Sequence, residues 1–122
     1  YVRHSDKIFF HCAGSGHKLD AIARNPKVSF CVTDRDDIVP EEITTYFRSV
    51  IVFGTIHILE DAAEKRSALE ILSARYSPDH ERERREEIDK LFKQTCVLEL
   101  AIEHMTGKEA IELVRAKRPE HA

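Results

Sequence analysis

The 122-residue sequence has no tryptophan and only three cysteines, Cys12, Cys31 and Cys96. Three cysteines cannot all pair within one chain and none stands in a C-x-x-C motif, so reduced thiols are expected rather than a disulfide framework. No apolar run approaches the roughly 20 residues of a membrane-spanning helix. A signal-peptide pattern is also missing. These absences predict reduced thiols and a cytoplasmic protein without a membrane partner.

A large excess of one charge sign is also missing, because the chain has 19 Lys and Arg residues and 22 Asp and Glu residues. Nucleic-acid-binding domains are normally basic, so a nucleic-acid partner is not expected. Apolar residues make up 42% and charged residues 34% of the chain, which is typical of a folded domain and not of a disordered one. The length predicts a single domain, residues 1–122, whose small core would gain from a partner surface.

Alternation of apolar and polar residues predicts the strands at Lys27–Thr33 and Cys96–His104, and aromatic and β-branched residues predict the one at Lys7–Cys12. The predicted strands are Val2–His4, Lys7–Cys12, Lys27–Thr33, Thr44–Leu59 and Cys96–His104. The segment Thr44–Leu59 is apolar on both faces, so both faces are expected to be covered. Gly54 inside it indicates a bulge or a bend.

Helices are predicted between these strands from apolar spacing and capping residues. They cover Gly16–Arg24, a segment capped by Asp61 with Glu64 three residues on, a segment starting at Ser77-Pro78, and a last one opening at Thr106. Asp34–Ile43 is acidic and aperiodic and is predicted to be a loop, and 115–122 a frayed tail. The order of elements does not repeat as βαβ. The predicted class is therefore mainly β with α (α+β), a small antiparallel barrel with peripheral helices.

The segment HCAGSGHKLD, residues 11–20, has closely spaced glycines but no nucleotide-binding motif. A dinucleotide fingerprint would need a third glycine where Leu19 stands. A Walker A loop is also excluded, because Lys18 neither follows a glycine nor precedes Ser or Thr. Two interpretations stay open: a plain turn between strand and helix, or a site for an anion.

Lys18 favours the anion. A lysine in the first turn of a helix opposes the positive end of the helix dipole, and a bound anion would remove that conflict. Glycines let the backbone approach a ligand, and the free N–H groups of a helix start favour negative charge. This reasoning indicates a phosphate monoester without naming the ligand.

Three segments carry a family resemblance. IFFHCAGSGHKLDAIARNPKVSF, residues 8–30, resembles the flavin-binding segment of the pyridoxamine 5′-phosphate oxidase superfamily, the FMN-binding split barrels. YFRSVIVFGTIHILED, residues 46–61, is similar to the long strand of that superfamily. Together with MTGKEA, residues 105–110, it looks closest to the 5-nitroimidazole resistance (Nim-like) flavoprotein branch. The N-terminal strands of the family are absent before Tyr1.

The resemblance implies an antiparallel split β-barrel that binds FMN as a homodimer, with FMN at the interface. It also implies an FMN-dependent oxidoreductase that reduces a small planar acceptor, possibly a nitroaromatic. The alternatives are a non-catalytic flavin- or haem-binding module and a structural dimer without a cofactor.

Site residues follow from the same resemblance. The basic pair of the oxidases, arginine then lysine, falls on His17 and Lys18, and the strand positions near the flavin fall on His11 and Cys12. Ser49 stands where the oxidases have a glutamine that hydrogen bonds to the flavin ring. Here the shorter serine side chain or a water molecule would have to make that hydrogen bond. The implied cofactor-binding set is His11, Cys12, Gly16, His17, Lys18, Arg48, Ser49 and Val50, with His11 as the candidate catalytic residue.

Other interpretations of single residues stay open. Arg48 could instead pair with an acid such as Glu99. A zinc site is not expected, because only His11 and Cys12 are close in sequence and they point to opposite faces of a strand. The residues that bind substrate phosphate in true pyridoxamine-phosphate oxidases have no match, which argues against that activity.

Overall fold

The computed structural model describes residues 1–117. In this range the chain forms five strands, four α-helices and one short 3-10 turn. These are β1 Val2–His4, β2 Lys7–Ala13, α1 His17–Arg24, β3 Lys27–Val39, a 3-10 turn Pro40–Glu42, β4 Thr44–Ile58, α2 Ala62–Tyr76, α3 Glu81–Leu91, β5 Thr95–Glu109 and α4 Ile111–Ala116. None of the helices in residues 1–117 is both long and apolar enough to span a bilayer. The predicted tail lies mostly outside the described residues.

The strands form one sheet in the order β1-β2-β5-β4-β3. β1 and β2 make an antiparallel hairpin, and β2 pairs antiparallel with β5 from Lys7 opposite Ala101 to Ala13 opposite Thr95. Within residues 1–117, β1 and β3 are the two edges and the sheet does not close on itself. The predicted class, α+β with an antiparallel split-barrel sheet, is confirmed.

The chain divides into two compact units, and β3, β4 and β5 contribute residues to both. The first unit combines Tyr1–Val28 with Gly54–Ile102. Its core lies where α2 and α3 cover β1, β2 and β5. The buried members of this core are Val2, Phe9, Leu59, Ala68, Leu69, Leu72, Ile88 and Val97. Burying each large aliphatic side chain contributes about 1.5–3 kcal/mol.

Helix α2 begins as its capping residues predict. The carboxylate of Asp61 accepts a hydrogen bond of 2.9 Å from the backbone N–H of Glu64, which satisfies a donor at the helix start. The predicted start of α3 at Ser77-Pro78 is wrong, since α3 begins at Glu81. Arg84 donates to the carbonyls of Ser77 and Pro78, which stabilises a turn where the first helical turn was expected.

The second unit combines Ser29–Phe53 with the chain from Glu103 onward. The predicted loop Asp34–Ile43 is wrong as far as Val39, because β3 continues through that residue, and only 40–43 form a turn. β3 is an edge strand whose residues are largely exposed from Thr33 on, and an exposed edge accommodates charged side chains. An acidic, aperiodic sequence can therefore form a strand.

The predicted last helix at Thr106 is also wrong, because β5 extends to Glu109 and α4 begins at Ile111. The backbone N–H of Ala110 donates to the carbonyl of Phe47 at 2.9 Å, directly after the strand. Hydrogen bonding to a neighbouring strand outweighed the local helix-start signal.

The expectation that both faces of β4 are covered is met on one face only. Val52 is 3% exposed, whereas its neighbours Ile51 and Phe53, on the opposite face, are 38% and 43% exposed. Adjacent exposed apolar side chains of this kind are typical of an interaction surface. Packing in the core of the single chain therefore does not explain why this face of β4 is apolar.

Gly54 allows two strands to approach closely. A Cβ atom on Gly54 would lie 2.0 Å from the carbonyl oxygen of Ala101 and 2.9 Å from Leu100 Cδ1. We therefore expect Gly54→Ala to destabilise the chain by about 1–3 kcal/mol, the usual cost of overpacking. Urea unfolding followed by circular dichroism measures this change.

Gly107→Ala is the matched control, since Gly107 also lies in a strand but a Cβ there would come no nearer than 4.0 Å to another atom. Equal midpoints of urea unfolding for the two variants would contradict the close approach of the strands at Gly54.

Candidate functional site

The turn between β2 and α1 leaves the start of a helix open. Gly16 is the N-cap residue, with φ 143° and ψ 172°, a conformation that is essentially restricted to glycine. A Cβ at Gly16 would meet nothing within 4 Å, so the space beside it is free. No side chain caps the helix. The first backbone N–H groups of α1 therefore lack acceptors within the helix and are available to an anion.

Two basic side chains occupy the first turn of this helix. His17 and Lys18 are exposed, and neither is hydrogen bonded or ion paired through its side chain to another residue in the described part of the chain. Asp20 lies in the same turn and already complements the positive end of the dipole. The dipole conflict inferred from Lys18 is thus reduced, while the open N–H groups and the two basic residues still fit a phosphate.

His11 borders a cavity of about 410 Å³ in the first unit. It lies opposite Val97 in the β2–β5 pair. The cavity is lined by His11, Thr95, residues of α2 and α3, and the turn between these helices. Its apolar lining comes from Leu69, Leu72, Ile88 and Leu91, and its polar lining from Ser73, Tyr76, Ser77 and Glu87. The volume lies in the range of small-molecule sites.

Cys12 points to the other face of β2, because successive strand residues alternate. It is half-buried and lies directly opposite Cys96. A flat ligand lying against one face of β2 would contact the side chain of His11 or that of Cys12, but not both. The structure therefore separates two residues that the resemblance assigns to one cofactor.

Arg48, Ser49 and Val50 are half-buried residues of β4 in the second unit. Arg48 Nε donates to Glu109 Oε2 at 2.8 Å, and Arg48 Nη1 donates to Asp34 Oδ2 at 2.9 Å. The interpretation that Arg48 pairs with an acid is correct, but Glu99 is the wrong acid. Its carboxylate instead lies 3.4 Å from Lys7 Nζ and 3.8 Å from His57 Nε2.

Glu109 holds two cations. Lys117 Nζ donates to the same oxygen as Arg48, at 2.9 Å. The hydrogen bonds from Lys117 and then from Arg48 lower the pKa of Glu109, and the hydrogen bonds to Glu109 and then Asp34 raise the pKa of Arg48. Asp34 and Glu109 were not predicted as partners of Arg48, because their local sequences indicated a loop and a helix where the structure has strands.

The predicted site residues thus fall into two sets. His11, Cys12, Gly16, His17 and Lys18 belong to the first unit, and Arg48, Ser49 and Val50 belong to the second. In the first set, the cavity beside His11 and the open helix start lie only a few residues apart along the chain.

A profile of the pyridoxamine 5′-phosphate oxidase family matches residues 1–109. The chain belongs to this family. No curated protein sequence matches it significantly. The resemblance found in the sequence is therefore confirmed at the level of the family.

Solved structures share the fold. A structure described as a candidate 5-nitroimidazole antibiotic resistance protein from Bacteroides thetaiotaomicron matches 86% of the chain with TM-score 0.67 and 23% identity. The FAD- and haem-binding protein from Mycobacterium smegmatis matches 96% with TM-score 0.68 and 25% identity. The flavocytochrome Anf3 from Azotobacter vinelandii matches 88% with TM-score 0.67 and 21% identity. The matched regions cover 62%, 63% and 52% of these three proteins.

The ion pairs of Glu109 predict a dependence of stability on pH. Because the folded-state pKa of Glu109 is lowered, its stabilisation is fully present above its ordinary pKa of 4.5 and is lost as pH falls through the folded-state value. We expect Glu109→Gln to lower Tm at pH 7, and the difference from the unmodified chain to shrink below about pH 4.5. Thermal unfolding at several pH values measures this.

Glu70→Gln is the matched control, since Glu70 is an exposed helical glutamate without an ion pair among residues 1–117. A Tm difference for Glu109→Gln that is small at pH 7, or constant down to pH 3, would contradict the assignment.

Proposed function

We propose that the chain is an FMN-dependent oxidoreductase that reduces a small planar acceptor such as a nitroaromatic compound. The observation that carries this proposal is the uncapped start of α1 beside Gly16 and Lys18, only a few residues along the chain from a cavity bordered by His11. Membership of the pyridoxamine 5′-phosphate oxidase family supports a flavin. The protein named for binding FAD and haem supports it further, as does the flavocytochrome Anf3.

The phosphate of FMN would be held mainly by backbone groups. The N–H groups at the start of α1 would donate to an anion bound there, and Gly16 leaves no side chain in the way. Lys18 would add a charge-assisted hydrogen bond, and His17 would add a second one at the place of the oxidases' arginine. This arrangement tolerates histidine in place of arginine, because the backbone supplies most of the donors.

His11 would act at the acceptor. FMN supplies two-electron redox chemistry when it is bound. The apolar side chains of the cavity exclude water from a flat substrate, and the His11 imidazole donates a hydrogen bond or a proton to it. Cys12, on the other face of β2, has no place in this step.

A homodimer with FMN at the interface is part of the proposal. The exposed pair Ile51 and Phe53 supports it, because a second copy would remove this apolar surface from water. Sedimentation velocity of the flavin-loaded chain reports the mass. We further propose a cytoplasmic location, as the three unpaired thiols indicate.

A non-catalytic flavin- or haem-binding module is the second candidate. It is favoured by the relative named as an FAD- and haem-binding protein, which aligns with 96% of the chain. The two candidates differ in turnover, because a module binds flavin without passing electrons to an acceptor.

Lys18→Ala is expected to weaken FMN binding by about tenfold or more, the loss of one charge-assisted hydrogen bond. The loss should be largest at low salt, because screening weakens charge interactions. Fluorescence titration with FMN at two salt concentrations measures it.

Lys90→Ala, on the exposed surface of α3, is the control and should leave the affinity unchanged. Equal affinities for the Lys18 and Lys90 variants would remove the phosphate site from the proposal.

His11→Ala is expected to keep FMN bound while lowering turnover at least tenfold, as for the loss of a general acid or a substrate hydrogen bond. Steady-state reduction of nitroaromatic acceptors by the pre-reduced protein measures turnover, and the visible spectrum measures bound flavin.

An unmodified chain that binds FMN but reduces no acceptor would support the module. A His11 variant that loses its flavin would assign an anchoring role to His11.

A further inference from the structure

Two cysteines face each other across the pairing of β2 and β5. Cys12 lies directly opposite Cys96 in the antiparallel register, so both side chains point to the same face of the sheet. Both cysteines are free thiols.

The spacing of this pair suits a disulfide. The N–H of Leu59 donates to the carbonyl of Val97, so the backbone groups of Val97 face away from β2 and those of Cys96 face toward it. Directly opposite residues of this hydrogen-bonded type have Cα atoms about 5.5 Å apart. Disulfides span Cα distances of about 4.4–6.8 Å, so the strands need not separate or slip to form one.

The two thiols differ in access. Cys12 is half-buried, whereas Cys96 is 8% exposed. Burial, and then the neighbouring Cys12, raise the pKa of the Cys96 thiol. A reagent in solvent therefore reacts with Cys12 first. Cys96 lies beside it and stays a protonated thiol. The third cysteine, Cys31, is exposed and belongs to the second unit.

We propose that Cys12 and Cys96 form a reversible dithiol–disulfide pair that is closed by thiol–disulfide exchange with a low-molecular-weight disulfide. The Cys12 thiolate attacks one sulfur of that disulfide, which forms a mixed disulfide and releases one small thiol. Cys96 loses its proton and attacks the Cys12 sulfur, which forms the Cys12–Cys96 bond and releases the second small thiol. The protein is oxidised by two electrons and the small disulfide is reduced to two thiols.

The bond is expected to open again readily. Hydrogen-bonded cross-strand pairs hold their Cβ atoms farther apart than the roughly 3.5–4.5 Å of a relaxed disulfide. The bond would pull the strands together, and strained disulfides are the ones that reductants open. This inference does not depend on the proposed flavin chemistry.

The test uses the folded chain with Cys31→Ser, treated with oxidised glutathione. We expect both remaining thiols to be lost from a thiol titration, the mass to fall by two hydrogens without a glutathione adduct, and peptide mapping to join Cys12 to Cys96. Dithiothreitol should restore both thiols. The same peptide mapping on the chain with all three cysteines checks the result without any substitution.

Two further variants in the Cys31→Ser background test the separate roles. With Cys96→Ala, the glutathione adduct on Cys12 should persist because nothing resolves it. With Cys12→Ala, Cys96 should react at least tenfold more slowly than Cys12 does. A lasting adduct on Cys12 in the presence of Cys96, or two thiols that survive treatment, would overturn the proposal.

Discussion

The pairing of β2 with β5 is the contact on which the rest of the first unit depends. Val97, Leu98 and Leu100 of β5 are almost completely buried, so both faces of this strand belong to the interior of the sheet. A shift of one residue in the register would exchange the two faces of the strand and disrupt the packing of these buried side chains. The observed register places His11 beside the cavity and aligns Cys12 with Cys96.

The candidate phosphate site relies more on the backbone than on side chains. Gly16 adopts a conformation that is costly for other residues, and the helix after it has no capping side chain. Donors of this kind do not change when a side chain is replaced. Arg48 is different, because two carboxylates already neutralise its charge. It is better suited to hold β4 and its neighbours in place than to attract an anion.

Several features could be predicted from the sequence because they depend on local chemistry. Asp61 caps α2 because its carboxylate reaches an N–H three residues away. Aromatic and β-branched residues marked β2, and alternating apolar residues marked the first half of β3. The secondary-structure predictions were wrong where a neighbour distant in sequence determines the local structure. The acidic end of β3 is a strand because it pairs as an exposed edge, and β5 passes Thr106 because backbone pairing outweighs the local start signal. The partners of Arg48 were missed for the same reason.

The sequence by itself determined the family, the fold class, and the position of the glycine turn between β2 and α1, since all three rest on short-range patterns of residues. Only the tertiary structure decided which residues meet. The strand register brought Cys12 against Cys96, from positions 84 residues apart (96 − 12). Burial in the folded sheet, and not local sequence, is what distinguishes these two thiols from each other.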